Sequence, residues 1–246
     1  MKIEVLTLFP EMFVGTVDSS ILGKAGERGL LHIHVTDIRS FTQDKHNRVD
    51  DTPYGGGAGM VMSADPIFRC LEAIGARGKK IIYMSPKGAI LNQASIESLS
   101  KRDELVILCG HYEGIDERIL TGWDIEEISI GDYILTGGEP AAVVLIDAVA
   151  RLIPGIIGNE ASHEEESIYS GLLEYPQFTK PRIYRDMEVP EVLVNGDHKR
   201  IALWQFEQSL RLTKERRPDL FEAYIKKADH LNRDQRKIME KIIDMM

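Results

Sequence analysis

The sequence lacks most of the signatures that would tie it to a familiar cofactor or compartment. No G-x-x-x-x-G-K-[ST] occurs and no G-x-G-x-x-G follows a strand pattern, which removes the usual support for nucleoside triphosphate or dinucleotide binding. There is no C-x-x-C and no H-E-x-x-H, so a zinc site has no support and no metal ligands are assigned. The two cysteines, Cys70 and Cys109, lie in apolar surroundings and read as reduced core thiols of a cytoplasmic protein. No apolar stretch approaches membrane-spanning length, which argues against a membrane partner. The amino terminus is interrupted by Glu4 and Pro10 and reads as too short and too acidic for a signal peptide.

What remains is ordinary in bulk and uneven in detail. The 246 residues suffice for one large α/β domain, or for one domain with a smaller companion, and for a substantial core. A net charge of -9 argues at first against a nucleic-acid partner. Residues 1–179, however, hold 15 Lys and Arg against 27 Asp and Glu, whereas residues 180–246 hold 15 against 12. Fields are screened beyond about 8 Å at physiological salt, so a basic carboxyl-terminal quarter can meet RNA phosphates on an acidic protein.

Short apolar runs alternate with helical patterns through the first part of the chain. Strands are expected over 2–8, 30–35, 80–84, 105–109 and 127–130, and helices over 10–24, 65–76, 92–101 and 140–153, with a short one from Asp116. That alternation implies a parallel sheet with helices on both faces. His32 and His34 share the solvated face of the second strand and receive no role. A long polar excursion, 37–59, contains His46, Arg48, Asp50 and the Gly55-Gly56-Gly57-Ala58-Gly59 run; loops of this length inside a compact domain are usually functional or disordered. After Pro154-Gly155 the chain turns polar and acidic, and beyond Pro181 it reads as helices over 199–212, 220–228 and 233–246.

Three apolar runs end in loops rich in glycine: Ser85-Pro86-Lys87-Gly88 after the third, Gly110-His111-Tyr112-Glu113-Gly114 after the fourth, and 129–139 after the fifth. Glycine at a strand's carboxyl end brings backbone close to a ligand, and that edge of an open α/β sheet is where small ligands bind. The loops carry Glu113, Asp132 and Glu139, with Lys87 as the exception. Such a set suits a ligand with hydroxyls, an adenine edge and a positive centre better than a pyrophosphate.

Five blocks make the chain resemble bacterial tRNA (guanine-N1)-methyltransferases of the SPOUT class. They are Leu8-Phe9-Pro10-Glu11-Met12-Phe13, Val49-Asp50-Asp51 with Tyr54-Gly55-Gly56-Gly57, Tyr112-Glu113-Gly114-Ile115-Asp116-Glu117-Arg118, the 129–139 loop, and 151–155. The resemblance implies a SPOUT-type parallel sheet with a deep trefoil knot, plus a small all-helical carboxyl-terminal domain. It divides the chain into a knotted catalytic domain over 1–158, a flexible acidic linker over 159–180 and a helical tRNA-binding domain over 181–246. It implies S-adenosylmethionine as donor and tRNA, not DNA, as partner, with the guanosine at position 37 as target and a homodimer whose active site lies at the subunit interface. The need for a divalent ion such as magnesium stays open.

Carried over by motif, the donor contacts fall on Met84, Ser85, Pro86, Gly88, Gly110, Tyr112, Glu113, Ile130, Gly131, Asp132, Tyr133, Ile134, Leu135, Gly137 and Gly138. The family's base falls on Glu166, with the register among Glu164, Glu165 and Glu166 left open, and its catalytic arginine on Arg151. Asp50 matches a residue near the target base, and Arg48, His46 and Gly59 join it as substrate contacts. Two departures stand out: His111 where the family often has arginine, and Pro140-Ala141 where it has leucine-proline. Two other readings remain at this point, a SPOUT enzyme acting on ribosomal RNA or another tRNA position, and a non-catalytic RNA-binding module.

Overall fold

The computed structural model describes residues 1–157 and 170–244. The chain divides into two compact units, Met1–Gly158 and Asn159–Met246.

The first unit is built on a five-stranded sheet in the order β2-β1-β6-β5-β7, every pairing parallel. The strands are β1 (Lys2–Thr7), β2 (His32–Asp37), β5 (Lys80–Ile90), β6 (Glu104–Cys109) and β7 (Ile125–Ser129); β3 (Asp50–Asp51) and β4 (Val61–Met62) form a separate antiparallel pair. The central strand β6 is buried along nearly its whole length because helices cover both faces, which is why its sequence is continuously apolar. Side chains alternate between those faces. Ile3, Val5, Ile82 and Ile107 pack with Leu22 and Ala25 of α1 (Ser20–Glu27), Leu99 of α3 (Gln93–Ser100) and Leu145, Ile146 and Val149 of α5 (Glu139–Ala150). Leu6, Ile81, Tyr83, Val106 and Leu108 pack with Ile67, Cys70 and Leu71 of α2 (Ala64–Ala73) and Ile119 of α4 (Glu117–Gly122). His32 and His34 lie exposed on edge strand β2.

Two sequence expectations need correction. The helix expected over 10–24 is a 3-10 turn at Pro10–Met12 followed, after a break, by α1: Gly15 takes a φ of 80°, which a right-handed helix interior does not accommodate, and Ser20, where α1 begins, takes 53°. The strand expected to stop at Met84 continues as β5 to Ile90 past an irregularity between Met84 and Ala89. Gly88 permits this: a Cβ there would stand 2.3 Å from the Glu127 carbonyl carbon, so the bulged segment lies directly on β7. The 85–88 loop is therefore a bulge within a strand, and not a strand-to-helix turn.

The second unit is mainly helical. In α6 (His198–Arg216), Asp197 caps the amino end by accepting from the Arg200 N–H at 3.1 Å. The helices α7 (Pro218–Ile225) and α8 (Arg233–Asp244) pack on it, with Leu210, Phe221 and Ile242 in the core. Leu172, within the segment read as linker, is buried in that core, and the Leu173 N–H donates to the Thr213 hydroxyl at 2.8 Å. The unit is not helical throughout. A hairpin of β8 (Ile183–Tyr184) and β9 (Met187–Glu188) turns at Arg185 and Asp186, both with φ above zero as tight hairpin turns require.

The burial of α5 gives a direct test. Leu145 is 0% exposed, so Leu145→Ala is expected to cost about 2–5 kcal/mol of first-unit stability, read as a lower urea midpoint with an unchanged denaturant slope.

Candidate active site

The bulge of β5 and the carboxyl ends of β6 and β7 meet at a cavity of about 260 Å³. Of the residues singled out in the sequence, Met84, Ser85, Pro86, Gly110, Tyr112, Glu113, Ile130, Gly131, Tyr133, Ile134, Leu135, Gly137 and Gly138 line it. Gly88 and Asp132 do not: the first is spent on the bulge against β7, and the second points to solvent. Tyr83, Lys87, His111, Glu117 and Ala141 also line the cavity. Tyr83 and Ala141 were hidden because they sit inside a strand and a helix, where apolar pattern speaks only of core. Glu117 lay within a recognised block, without a spacing that pointed inward.

The walls are set by short-range backbone geometry. The Ser129 hydroxyl accepts the Gly131 N–H at 3.2 Å and closes the turn that leaves β7. The Ser85 hydroxyl accepts the Lys87 N–H at 3.2 Å in the bulge of β5. The Gly138 N–H donates to the Gly110 carbonyl at 2.9 Å, and Gly137 bridges to His111 in antiparallel fashion, so the 129–138 segment is laced to the loop after β6. A Cβ on Gly138 would stand 2.9 Å from the Cys109 Cα, which explains why only glycine serves there.

The polar excursion of 37–62 returns to the same place. Asp50 pairs with Met62 in the β3–β4 ladder, the Met62 N–H donates to the Gly114 carbonyl at 2.9 Å, and the Glu113 N–H donates to Met60 at 3.0 Å. Gly59 lies against the Glu113 side chain, where a Cβ would come within 2.5 Å. His46 and Arg48 sit elsewhere, in an exposed turn organised by Asp44. The Asp44 carboxylate accepts the His46 N–H at 2.8 Å and the Arg48 guanidinium at 2.9 Å, and Arg48 foremost holds its pKa well below the carboxylate range.

Arg151 closes the opposite end of α5, its N–H donating to the Asp147 carbonyl at 3.1 Å. It does not line the cavity. Glu166, with Glu164 and Glu165, falls outside the described residues.

The chain is similar to known proteins over most of its length. The family model described as tRNA (guanine-1)-methyltransferase TrmD matches residues 1–223. A tRNA (guanine-N(1)-)-methyltransferase of Carboxydothermus hydrogenoformans is 56% identical over 223 residues, covering 91% of this chain and 88% of its own. One of Alkaliphilus oremlandii is 53% identical, covering 92% and 94%. One of Desulforamulus reducens is 50% identical over 250 residues, covering 100% and 96%.

Tyr83 has a measurable signature. Burial, then the nearby Glu127, pushes its hydroxyl up to about 12. Below pH 10 the phenol is neutral in folded and unfolded chains alike, and the fold keeps this contribution in full. Above pH 10 the unfolded chain ionises first, so stability falls until the folded value is passed, by roughly 3 kcal/mol in all. Tyr83→Phe is expected to lessen the stability lost between pH 10 and 12 and to remove one high-pH step from the absorbance titration of tyrosinate.

Proposed function

The chain belongs to the tRNA (guanine-1)-methyltransferase family, and from that premise we propose how its own residues carry out the family's reaction. The protein is a tRNA (guanine-N1)-methyltransferase that takes its methyl group from S-adenosylmethionine. The finer reading is that the target is the guanosine at position 37, 3′ of the anticodon, and that the donor occupies the cavity between the bulge of β5 and the carboxyl ends of β6 and β7. The observation that carries it is the lacing of Gly137 and Gly138 to Gly110 and His111, which gives a wall of bare backbone at the sheet edge.

The residues present fit that donor. A Cβ on Gly110 would stand 2.6 Å from the Tyr83 hydroxyl, and one on Gly137 would stand 2.4 Å from a Glu139 oxygen, so the cradle is shaped by glycine. Ile130, Leu135 and Ala141 supply apolar surface for an adenine, and Glu113 and Glu117 face a positive centre. When bound, S-adenosylmethionine supplies an electrophilic methyl carbon on a sulfonium. The protein's part is alignment and proton removal. Guanine nitrogen 1 carries hydrogen at neutral pH, so Glu166 takes that proton and frees the lone pair for attack. The guanidinium of Arg151 stabilises the charge that grows on the guanine carbonyl oxygen. Asp50 and Gly59 hold the base at the lip beside Glu113, while Arg48 and His46 meet the surrounding RNA. The basic stretch 181–246 grips tRNA, and 159–180 joins it to the first unit and carries the base.

A homodimer fits this reading. The 12 residues of α5 span roughly 18 Å at 1.5 Å per residue, with the cavity at one end and Arg151 at the other. One chain does not bring Arg151 to its own cavity, so a second copy supplies it. The exposed Ile134, 82% accessible at the rim, offers apolar surface for that copy. The contact of 129–138 with the loop after β6 fits the deep trefoil knot, a rare exception to unthreaded chains.

Glu166→Gln is expected to lower turnover by about two to four orders of magnitude while donor affinity holds, measured with labelled donor and a guanosine-37 transcript beside an adenosine-37 control. Wild-type turnover in the variant removes Glu166 from the mechanism, and equal labelling of both transcripts removes the site assignment. A second expectation concerns mixed dimers: Arg151→Ala combined with an inactive Gly138→Val variant should regain activity, since one site of each mixed pair is intact. Continued inactivity in properly mixed dimers would place both residues in one chain's site.

A further inference from the structure

Glu139 stands apart from the other acids of the described residues, being 1% exposed where they reach solvent. Its Oε1 accepts from the Thr7 hydroxyl at 2.7 Å, while Oε2 has no partner among the described residues. A buried carboxylate oxygen without a partner is costly, and its persistence asks for a use. Position suggests one. Gly137 forms cavity wall, and Oε2 lies 2.4 Å from the point where a Gly137 Cβ would stand, so the acid sits one backbone thickness behind the cavity. The Cys109 thiol, pushed well up by burial and then by Glu139, senses the same charge.

The charged groups around it differ in kind. Lys87, Glu113 and Glu117 line the cavity on its open side, and Glu113 and Glu117 are exposed and screened by salt. The His111 ring edge reaches the same Gly137 point, at 2.7 Å for Nε2. Glu127, beside Tyr83, is half-buried with its Oε1 out of water, whereas Glu139 is buried as a whole residue, where a charge works at low effective dielectric.

Resting on the reading of this cavity as the donor site, we infer that Glu139 determines specificity by charge: acting through the Gly137 backbone, it favours a ligand bearing the sulfonium over the thioether left after transfer. The two ligands differ by one methyl group and one unit of positive charge. Transfer of the methyl therefore removes the partner of the buried carboxylate and loosens the product.

The test is calorimetric titration of the whole protein with S-adenosylmethionine and with S-adenosylhomocysteine. Glu139→Gln keeps the shape and deletes the charge. The dissociation constant of the sulfonium is expected to rise on the order of tenfold while that of the thioether stays within about twofold. Retained thioether binding also shows that the pocket is intact. Equal shifts for both ligands, or none for either, overturn the inference. Should this variant fail to fold, wild-type protein titrated at about 0.05 M and 0.5 M salt decides: a ratio of affinities steady within about twofold supports the buried charge, and a collapsing ratio assigns discrimination to Glu113 and Glu117. Wild-type protein that takes up neither probe brings down the donor-site reading itself, a result distinct from the others.

Discussion

The hydrogen bond from the Gly138 N–H to the Gly110 carbonyl, 2.9 Å long, is the contact on which the site depends. It joins the segment entering α5 to the segment leaving β6 and thereby fixes two walls of the cavity relative to each other. Everything nearby is arranged to let it form. Gly138 approaches the Cys109 Cα more closely than a side chain would permit. Thr7 at the end of β1 holds Glu139, the first residue of α5, through its hydroxyl. The sheet contributes the fixed frame, since β6 is paired on both sides and buried along its length.

Much of this was legible in the sequence, for stated physical reasons. Parallel strands buried on both faces must be continuously apolar, and 105–109 is. Glycine-dense runs after such strands mark where backbone meets ligand, and two of the three loops found this way are true strand-end loops. The third misled because a strand that bulges and resumes looks, in one dimension, like a strand that stops. Gly88 resembled a loop glycine, whereas its constraint comes from Glu127, far off in the chain and adjacent in space. Tyr83 was invisible as a site residue, since its apolar neighbours assign it to the core and only the third dimension turns its hydroxyl toward Gly110. Asp132 was included by motif, yet the turn closed by Ser129 faces it outward.

Charge is unevenly divided along the chain. Residues 1–179 carry surplus acid, a field that favours a cation and disfavours nucleic acid, whereas surplus cations are confined to 180–246. The long α5 runs from the cavity at one end to Arg151 at the other.

The composition of the cavity wall also bears on how the site can change. Where peptide groups and bare α-carbons, rather than side chains, define a surface, replacing one amino acid by another has little to reshape without collapsing the surface altogether. A ligand moulded to the backbone of Gly110, Gly137 and Gly138 would therefore meet a surface that few single-codon changes could alter and still leave standing.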